Sequence, residues 1–230
     1  MSCVALVPAA GSGSRVAGAQ PKQYVALAGR PMLWHAVAAV CREPVETVFV
    51  VLSPEDTAFK SCDWSAFGLH LQPLYCGGET RRDSVYNGLV AAMASVDADD
   101  WVLVHDAARP CLPAADLARL YDECRGDSIG GILALPVAET VKRAGKDEAG
   151  AQRVAGTDDR SQLWLAQTPQ MFRAALLAEA LARAKPTVTD EASAVEQMGL
   201  RPRLVLGSRE NLKVTYVEDL AIAEAILERR

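Results

Sequence analysis

The chain has no apolar run near the roughly 18 residues that a membrane-spanning helix needs. Its opening, MSCVALVPAA, carries no basic segment ahead of the first apolar run. The expectation from these two absences is a soluble, cytoplasmic protein without a signal peptide and without a membrane partner. The six cysteines, Cys3, Cys41, Cys62, Cys76, Cys111 and Cys124, form no C-x-x-C pair and keep no regular spacing. That argues against a zinc ribbon or a disulfide framework and for buried, reduced thiols. Nor is there an excess of base. With 29 acids against 24 bases and a net charge of −5, the electrostatic footprint of a nucleic-acid binder is missing.

What is present is an ordinary globular composition, half apolar and 23% charged over 230 residues, enough for one sizeable core. Short apolar runs alternate with helix-like stretches, the pattern of an α/β fold with a largely parallel sheet. Strands are predicted at 4–7, 47–52, 69–74, 101–105, 131–135, 163–167 and 203–206. Helices are predicted at 32–41, 83–94, 114–125, 171–184, 190–198 and 217–229, the first of them behind Pro31, a residue preset for a helix start. The whole chain, 1–230, reads as a single domain. In such sheets ligands sit beyond the carboxyl ends of the strands, so the loops that follow strands are the ones to inspect.

The first of these loops is the most informative. Pro8 to Tyr24, PAAGSGSRVAGAQPKQY, follows the run Cys3 to Val7 and holds Arg15 and Lys22 but no acid. Gly11 and Gly13 free the backbone to turn its N–H groups toward an anion, and two cations seven residues apart can grip a polyphosphate at two places. Two better-known phosphate loops are absent. The dinucleotide pattern G-x-G-x-x-G fails at Val16, and the Walker pattern fails because Gly18 is followed by Ala19. A nucleotide site of another kind is expected.

Two further loops carry unusual residues. In Cys76-Gly77-Gly78-Glu79-Thr80-Arg81-Arg82-Asp83-Ser84 the paired glycines permit close backbone approach and Asp83 or Ser84 opens a helix, while the adjacent arginines have no role in a plain turn. In Asp106-Ala107-Ala108-Arg109-Pro110, Asp106 and Arg109 form either a local ion pair or a pair that orients a metal, ribose or phosphate. His105 is expected to be structural, since strand alternation turns it away from Asp106. The segment Glu139 to Arg160 holds ten charged residues and Gly145, Gly150 and Gly156, too polar for a core. It reads as a mobile surface loop or as a two-stranded arm built from 140–143 and 152–154, which would need a partner because an isolated hairpin is barely stable.

Taken in order, Pro8-Ala9-Ala10-Gly11-x-Gly13-x-Arg15, Pro21-Lys22-Gln23-Tyr24, Gly77-Gly78-x-x-Arg81-x-x-Ser84, Val104 to Pro110, Thr168-Pro169-Gln170, Thr189-Asp190-Glu191-Ala192-Ser193 and Asn211-Leu212-Lys213-Val214-Thr215 resemble the 2-C-methyl-D-erythritol 4-phosphate cytidylyltransferase family. Val16 and Leu212 stand where the family commonly has Met and Ile, and the chain ends at Arg230, as expected of a form not fused to a cyclodiphosphate synthase. The resemblance implies a Rossmann-like nucleotidyltransferase fold with a protruding β-arm. It implies the transfer of CMP from CTP to methylerythritol phosphate with release of pyrophosphate, on the non-mevalonate route to isoprenoids. Mg²⁺, or another divalent cation, is expected to arrive on the substrate phosphates, with no protein metal ligand.

By the same resemblance Arg15, Lys22, Arg160 and Lys213 are catalytic. Pro8, Ala9, Ala10, Gly11, Gly13, Gly78, Glu79, Arg81, Ser84, Asp106 and Ala107 are expected to hold the nucleotide. Asp106, Arg109, Thr140, Arg160, Thr168 and Lys213 are expected to hold the acceptor, Thr140 and Arg160 coming from a partner's 139–160 arm in a homodimer. A ribitol 5-phosphate cytidylyltransferase uses a closely similar loop and lysine, and a noncatalytic nucleotide-binding regulator is an alternative of another class, disfavoured by the presence of both Arg15 and Lys22.

Overall fold

The apolar runs of the sequence become the strands of one central sheet, whose inner strands are covered on both faces. The computed structural model describes residues 1–11, 21–185 and 187–230. In chain order the elements are β1 (Cys3–Pro8), β2 (Ala26–Leu27), β3 (Arg30–Pro31), α1 (Met32–Val40), β4 (Thr47–Val51), β5 (Leu71–Leu74), α2 (Arg81–Ala92), β6 (Trp101–Val104), α3 (Ala114–Cys124), β7 (Gly130–Pro136), β8 (Val141–Lys146), β9 (Gln152–Asp158), β10 (Trp164–Arg173), α4 (Ala174–Arg183), α5 (Glu191–Gln197), β11 (Arg203–Leu206) and α6 (Glu218–Leu227).

Seven strands form the central sheet in the order β11-β7-β10-β6-β1-β4-β5. All pairs are parallel except those made by β10, which runs antiparallel to both β6 and β7. Alternation along β1 explains the two cores. Cys3, Ala5 and Val7 pack with Leu33 and Val37 of α1 and Leu117 and Leu120 of α3, while Val4 and Leu6 pack with Val85 and Leu89 of α2 and Leu177 and Leu181 of α4. A strand buried on both faces reads as a continuous apolar run, which is why β1, β4 and β6 were visible as such.

From β1 the chain steps one way to β4 and β5, then crosses to β6 on the other side of β1. That reversal opens a crevice at the carboxyl ends of β1 and β6, the place where open α/β sheets bind ligands. The charged 139–160 segment is an antiparallel ribbon, β8 with β9, in a sheet of its own. Its side chains are largely exposed. The six cysteines are free thiols, with Cys3, Cys111 and Cys124 buried. No described helix is long and apolar enough to cross a membrane.

Several element boundaries differ from expectation: the strand expected at 69–74 starts at Leu71, the one expected at 163–167 runs on to Arg173, and two helix starts move. The helix predicted at 171–184 starts at Ala174, because Met171 and Phe172 are fully buried and pair with Leu103 and Val102 of β6. Tertiary pairing outweighs a helix-like local pattern. The helix expected from Asp83 or Ser84 starts at Arg81. Thr80 is its cap, accepting from the Asp83 N–H while the Asp83 carboxylate accepts from the Thr80 N–H. Asp83 therefore occupies the third position of a capping box, and the two arginines fall inside the first turn.

Gly88 marks the closest approach of α2 to the sheet, since a Cβ there would overlap Val51 Cγ2 and press on Leu6 Cδ1 at 3.1 Å. Alanine favours a helix over glycine by about 1 kcal/mol, but overpacking typically costs about 1–3 kcal/mol, the same or more. Gly88→Ala is therefore expected to lower stability by up to about 2 kcal/mol in chemical denaturation; a stabilised variant would mean that α2 is not seated against β1 and β4 as described.

Candidate active site

Three loops at the carboxyl ends of strands meet around a cleft of about 550 Å³, large enough for a nucleotide. Pro8 to Gly11 end and follow β1, Gly78 to Ser84 come after β5, and Asp106 to Ala108 after β6; Lys22 and Lys213 line the cleft with them. Gln23, Met32, Thr80 and Ala108 also line it, and these four were not singled out from the sequence as site residues. Gln23 could have been found as the neighbour of Lys22 in the Pro21-Lys22-Gln23-Tyr24 motif. It is buried, and its amide donates to the Ala9 carbonyl at 2.7 Å.

The glycine pair is needed for close approach. A Cβ on Gly77 would meet Ala10 and, at 2.8 Å, the Leu52 carbonyl, and one on Gly78 would lie 2.6 Å from Asp83 Cβ. The Gly78 N–H donates to Ser84 Oγ at 3.1 Å, and the Ser84 hydroxyl is within 3.0 Å of the Thr80 carbonyl. Residues 12–20, with Gly13 and Arg15, lie outside the described residues. Lys22 sits in a 3₁₀ turn, Lys22–Tyr24, and its ammonium donates to the Val214 carbonyl.

The centre of the cleft is an alternating row of charges. Arg81 Nη2 is 2.9 Å from Asp106 Oδ1, and Lys213 Nζ is 2.7 Å from Asp106 Oδ2. On its other edge Arg81 forks onto Glu191, at 2.6 and 3.1 Å. Burial by itself would push the Asp106 carboxyl upward, but the Arg81 and Lys213 charges, the Lys213 hydrogen bond and the more distant Arg109 outweigh it and hold the group well below the usual carboxylate range. Asp106 is ionised at any working pH. Its pairing with Arg109, one of the two alternatives from the sequence, is marginal at 4.0 Å.

Behind the cleft wall a second set of hydrogen bonds fixes that row. The Asp106 N–H donates to Thr168 Oγ1 at 2.9 Å, and Thr168 Oγ1 is 3.2 Å from His105 Nδ1. Because the Arg109 carbonyl can only accept, His105 Nε2 carries the proton toward it, at 3.0 Å, and Nδ1 accepts from the Thr168 hydroxyl. Arg109 donates to the Asn211 and Ala166 carbonyls, Asn211 donates to the Thr168 carbonyl, and the Val214 N–H donates to the Ala108 carbonyl. This lacing seats the Asn211 to Val214 segment, and Lys213 with it.

Expected site residues are thus divided by the structure. Pro8, Ala9, Ala10, Gly11, Lys22, Gly78, Glu79, Arg81, Ser84, Asp106, Ala107 and Lys213 share one cleft. Arg109 and Thr168 do not line it. Both are buried, and their polar groups face backbone and His105 instead of the opening. Thr140 and Arg160 belong to the exposed 139–160 segment and do not line it either.

A nucleotide-sized cleft at the sheet's reversal point, lined by Lys22, Arg81 and Lys213 together with Asp106, Glu79 and the glycine-bearing loops, is the kind of site a nucleotidyltransferase uses. The comparisons with known proteins name the particular kind. The family model for 2-C-methyl-D-erythritol 4-phosphate cytidylyltransferase matches residues 3–229, and the chain belongs to that family. The enzyme of that name from Dechloromonas aromatica is 55% identical over 228 residues, covering 98% of this chain and 97% of its own. A solved structure of a 4-diphosphocytidyl-2C-methyl-D-erythritol synthase is similar, with TM-score 0.84, 43% identity and 98% of each chain covered. The Thermus thermophilus enzyme superposes with TM-score 0.78 at 31% identity over the full length of both chains. Family membership decides for methylerythritol phosphate over ribitol 5-phosphate as acceptor.

His105 gives this site a pH signature in stability. Burial dominates and, partly offset by the Arg109 carbonyl and the Asp106 charge, lowers its pKa from 6.5 to about 4. The unfolded chain therefore takes up a proton below about 6.5 that the folded chain refuses until about 4. The contribution is fully present above pH 6.5 and is lost as pH falls to about 4, up to about 3 kcal/mol in all. Unfolding free energies of wild type and His105→Gln should accordingly converge as pH drops through this window, and a constant difference would show that His105 is not held neutral.

Proposed function

We infer that this cleft carries out the family's transfer by alignment and charge neutralisation alone. The chain is a CTP-dependent cytidylyltransferase. Its reaction moves CMP from CTP to the phosphate of 2-C-methyl-D-erythritol 4-phosphate and releases pyrophosphate. An oxygen of the acceptor phosphate bonds to the α-phosphorus while the bond from that phosphorus to the β-phosphate bridge breaks. The nucleophile is already ionised near neutral pH, its second pKa being about 6, so no general base is required. The observation that carries this reading is the row Arg81–Asp106–Lys213 lining the same cleft as the Pro8 to Gly11 loop.

The nucleotide is held by Pro8 to Gly11, Gly78, Glu79, Arg81, Ser84, Asp106 and Ala107, with Gly13 and Arg15 of the same loop assigned by family resemblance. Lys22 and Arg15 clamp the triphosphate, and Lys22 exchanges its Val214 carbonyl for phosphate oxygens. Lys213 and Asp106 face the acceptor. Arg109 and Thr168 serve the acceptor from behind, by fixing Asp106 and Lys213 in place.

Mg²⁺ fits as a guest of the substrate. Among the described residues no cluster of three His, Cys, Asp or Glu side chains forms, and Asp106 is already engaged by two cations. Magnesium keeps several waters and needs few protein ligands. Bound to the triphosphate, it would neutralise charge on the phosphate oxygens, while the protein's part is to hold those phosphates in line.

The working unit is a homodimer in the cytoplasm. Thr140 and Arg160 are exposed on the arm, outside their own cleft, and Leu163, Trp164 and Leu165 at its base are also exposed, as are Leu204 and Leu206 on the edge strand β11. An apolar edge of this kind needs a cover. A partner docked there would bring Arg160 to the neighbouring acceptor site.

Complementation tests the reading. Lys22→Ala removes a preorganised cation and should cost on the order of 10²- to 10³-fold in turnover, and Arg160→Ala should be similarly impaired. Mixed and allowed to exchange, the two variants form heterodimers in which one site has both an intact Lys22 and an intact partner Arg160, so activity should return to well above either parent. Exchange without recovery, or a fully active monomer, would contradict the exchanged arm; near wild-type turnover by Lys22→Ala would contradict the lysine's role.

A further inference from the structure

Two motifs, Thr168-Pro169-Gln170 and Thr189 to Ser193, contribute Arg81's second carboxylate partner from outside the cleft. Glu191 is 1% exposed and is not among the residues lining the cleft, yet both of its carboxylate oxygens meet Arg81. It is the first residue of α5, a helix whose start is fixed twice. Asp190 and Ser193 form a reciprocal capping box. Gln170, itself 1% exposed, donates to the Asp190 carboxylate at 2.8 Å and accepts from the Ala192 N–H at 2.8 Å. Gln170 lies on β10, two residues past Thr168, and pairs with Val104 just before the Asp106 loop. One strand therefore orders both ends of the charge row: Thr168 holds Asp106 by its backbone, and Gln170 holds the helix that carries Glu191.

We propose that Glu191, seated by Gln170 and Asp190, is a positioning residue for the transfer, acting on substrate only through Arg81. The guanidinium lies between two carboxylates, its Nη1 and Nη2 forked on the two oxygens of Glu191 and its Nε–Nη2 side on the single oxygen Oδ1 of Asp106. A planar fork held bidentately has its orientation fixed as well as its distance. Without Glu191 the Arg81 side chain, 30% exposed, is free to turn its whole fork onto Asp106 or onto substrate phosphate. Asp106 would then be drawn from Lys213, and the row that faces the substrates would lose its register. Glu191 also balances charge. Glu191 and Asp106 together match Arg81 and Lys213, so the row is neutral before a polyanionic substrate enters.

The inference rests on the reading of the cleft given above, and a double-mutant cycle separates the two. Pyrophosphate release from CTP with methylerythritol phosphate is measured for wild type, Glu191→Gln, Arg81→Gln and the double variant, each at a temperature where it is folded. Glu191→Gln keeps the side chain's shape and should lower kcat/KM roughly ten- to a hundred-fold while Arg81 is present, and by less than about twofold in the Arg81→Gln background, since residues sharing one network are coupled. Where Glu191→Gln does not fold, Glu191→Asp, which draws the carboxylate back by one methylene, is put through the same cycle with the same two readings. A loss that persists without Arg81, or a Glu191 variant as active as wild type beside an impaired Arg81→Gln, overturns the proposal. An Arg81→Gln enzyme as active as wild type overturns the reading of the cleft as well.

Discussion

Asp106 is a carboxylate at the mouth of a buried sheet, and the arrangement around it depends on keeping it ionised there. Burying an unpaired charge is costly, so two cations from distant parts of the chain, Arg81 and Lys213, must reach it. That requirement draws the start of α2 and the 211–214 segment to the end of β6. The same two cations, once placed, line the cleft proposed to take the nucleotide triphosphate and the acceptor phosphate. Pairing keeps like charges from being stranded in the cleft.

The scaffold makes this economical in sequence. β1 and β6 lie side by side at the sheet's reversal point, so their two loops converge without long excursions. β10, the one strand that runs against the rest, brings its mid-strand residues to the same end. Its pairing with β7 shifts between Ala166 and Gln170, and the residues in that shift, Gln167 and Thr168, make polar contacts with Asn211 and the Asp106 backbone instead of a regular ladder. An irregular stretch of strand is thereby used to hold an active-site loop.

Much of this was legible in the sequence because strands buried on both faces leave continuous apolar runs, and because glycines and unpaired-looking arginines stand out in loops after such runs. The charge and glycines of 139–160 placed that segment outside the core but left a surface loop and a two-stranded arm both open, and the β8–β9 ribbon is the second of these. Three things were not legible. Met171 and Phe172 look like the first turn of α4, and only their pairing with β6 makes them strand. Arg109 has a loop arginine's address but turns inward to carbonyls of Asn211 and Ala166, contacts contributed by segments 102 and 57 positions away. Glu191 could be named only within a motif, since the partner that gives it meaning, Arg81, lies 110 residues earlier. Long-range polar pairing has no local period to read.

The central claim is that an ionised Asp106 organises the two cations that meet the substrates. Replacing the carboxylate by its amide, Asp106→Asn, keeps the shape and the backbone bond to Thr168 but removes the charge. Steady-state kinetics on the folded variant, with CTP, Mg²⁺ and methylerythritol phosphate, should show kcat/KM for the acceptor reduced on the order of 10²-fold, comparable to the loss of a preorganised electrostatic contact. Wild-type efficiency in a folded Asp106→Asn enzyme would contradict the account.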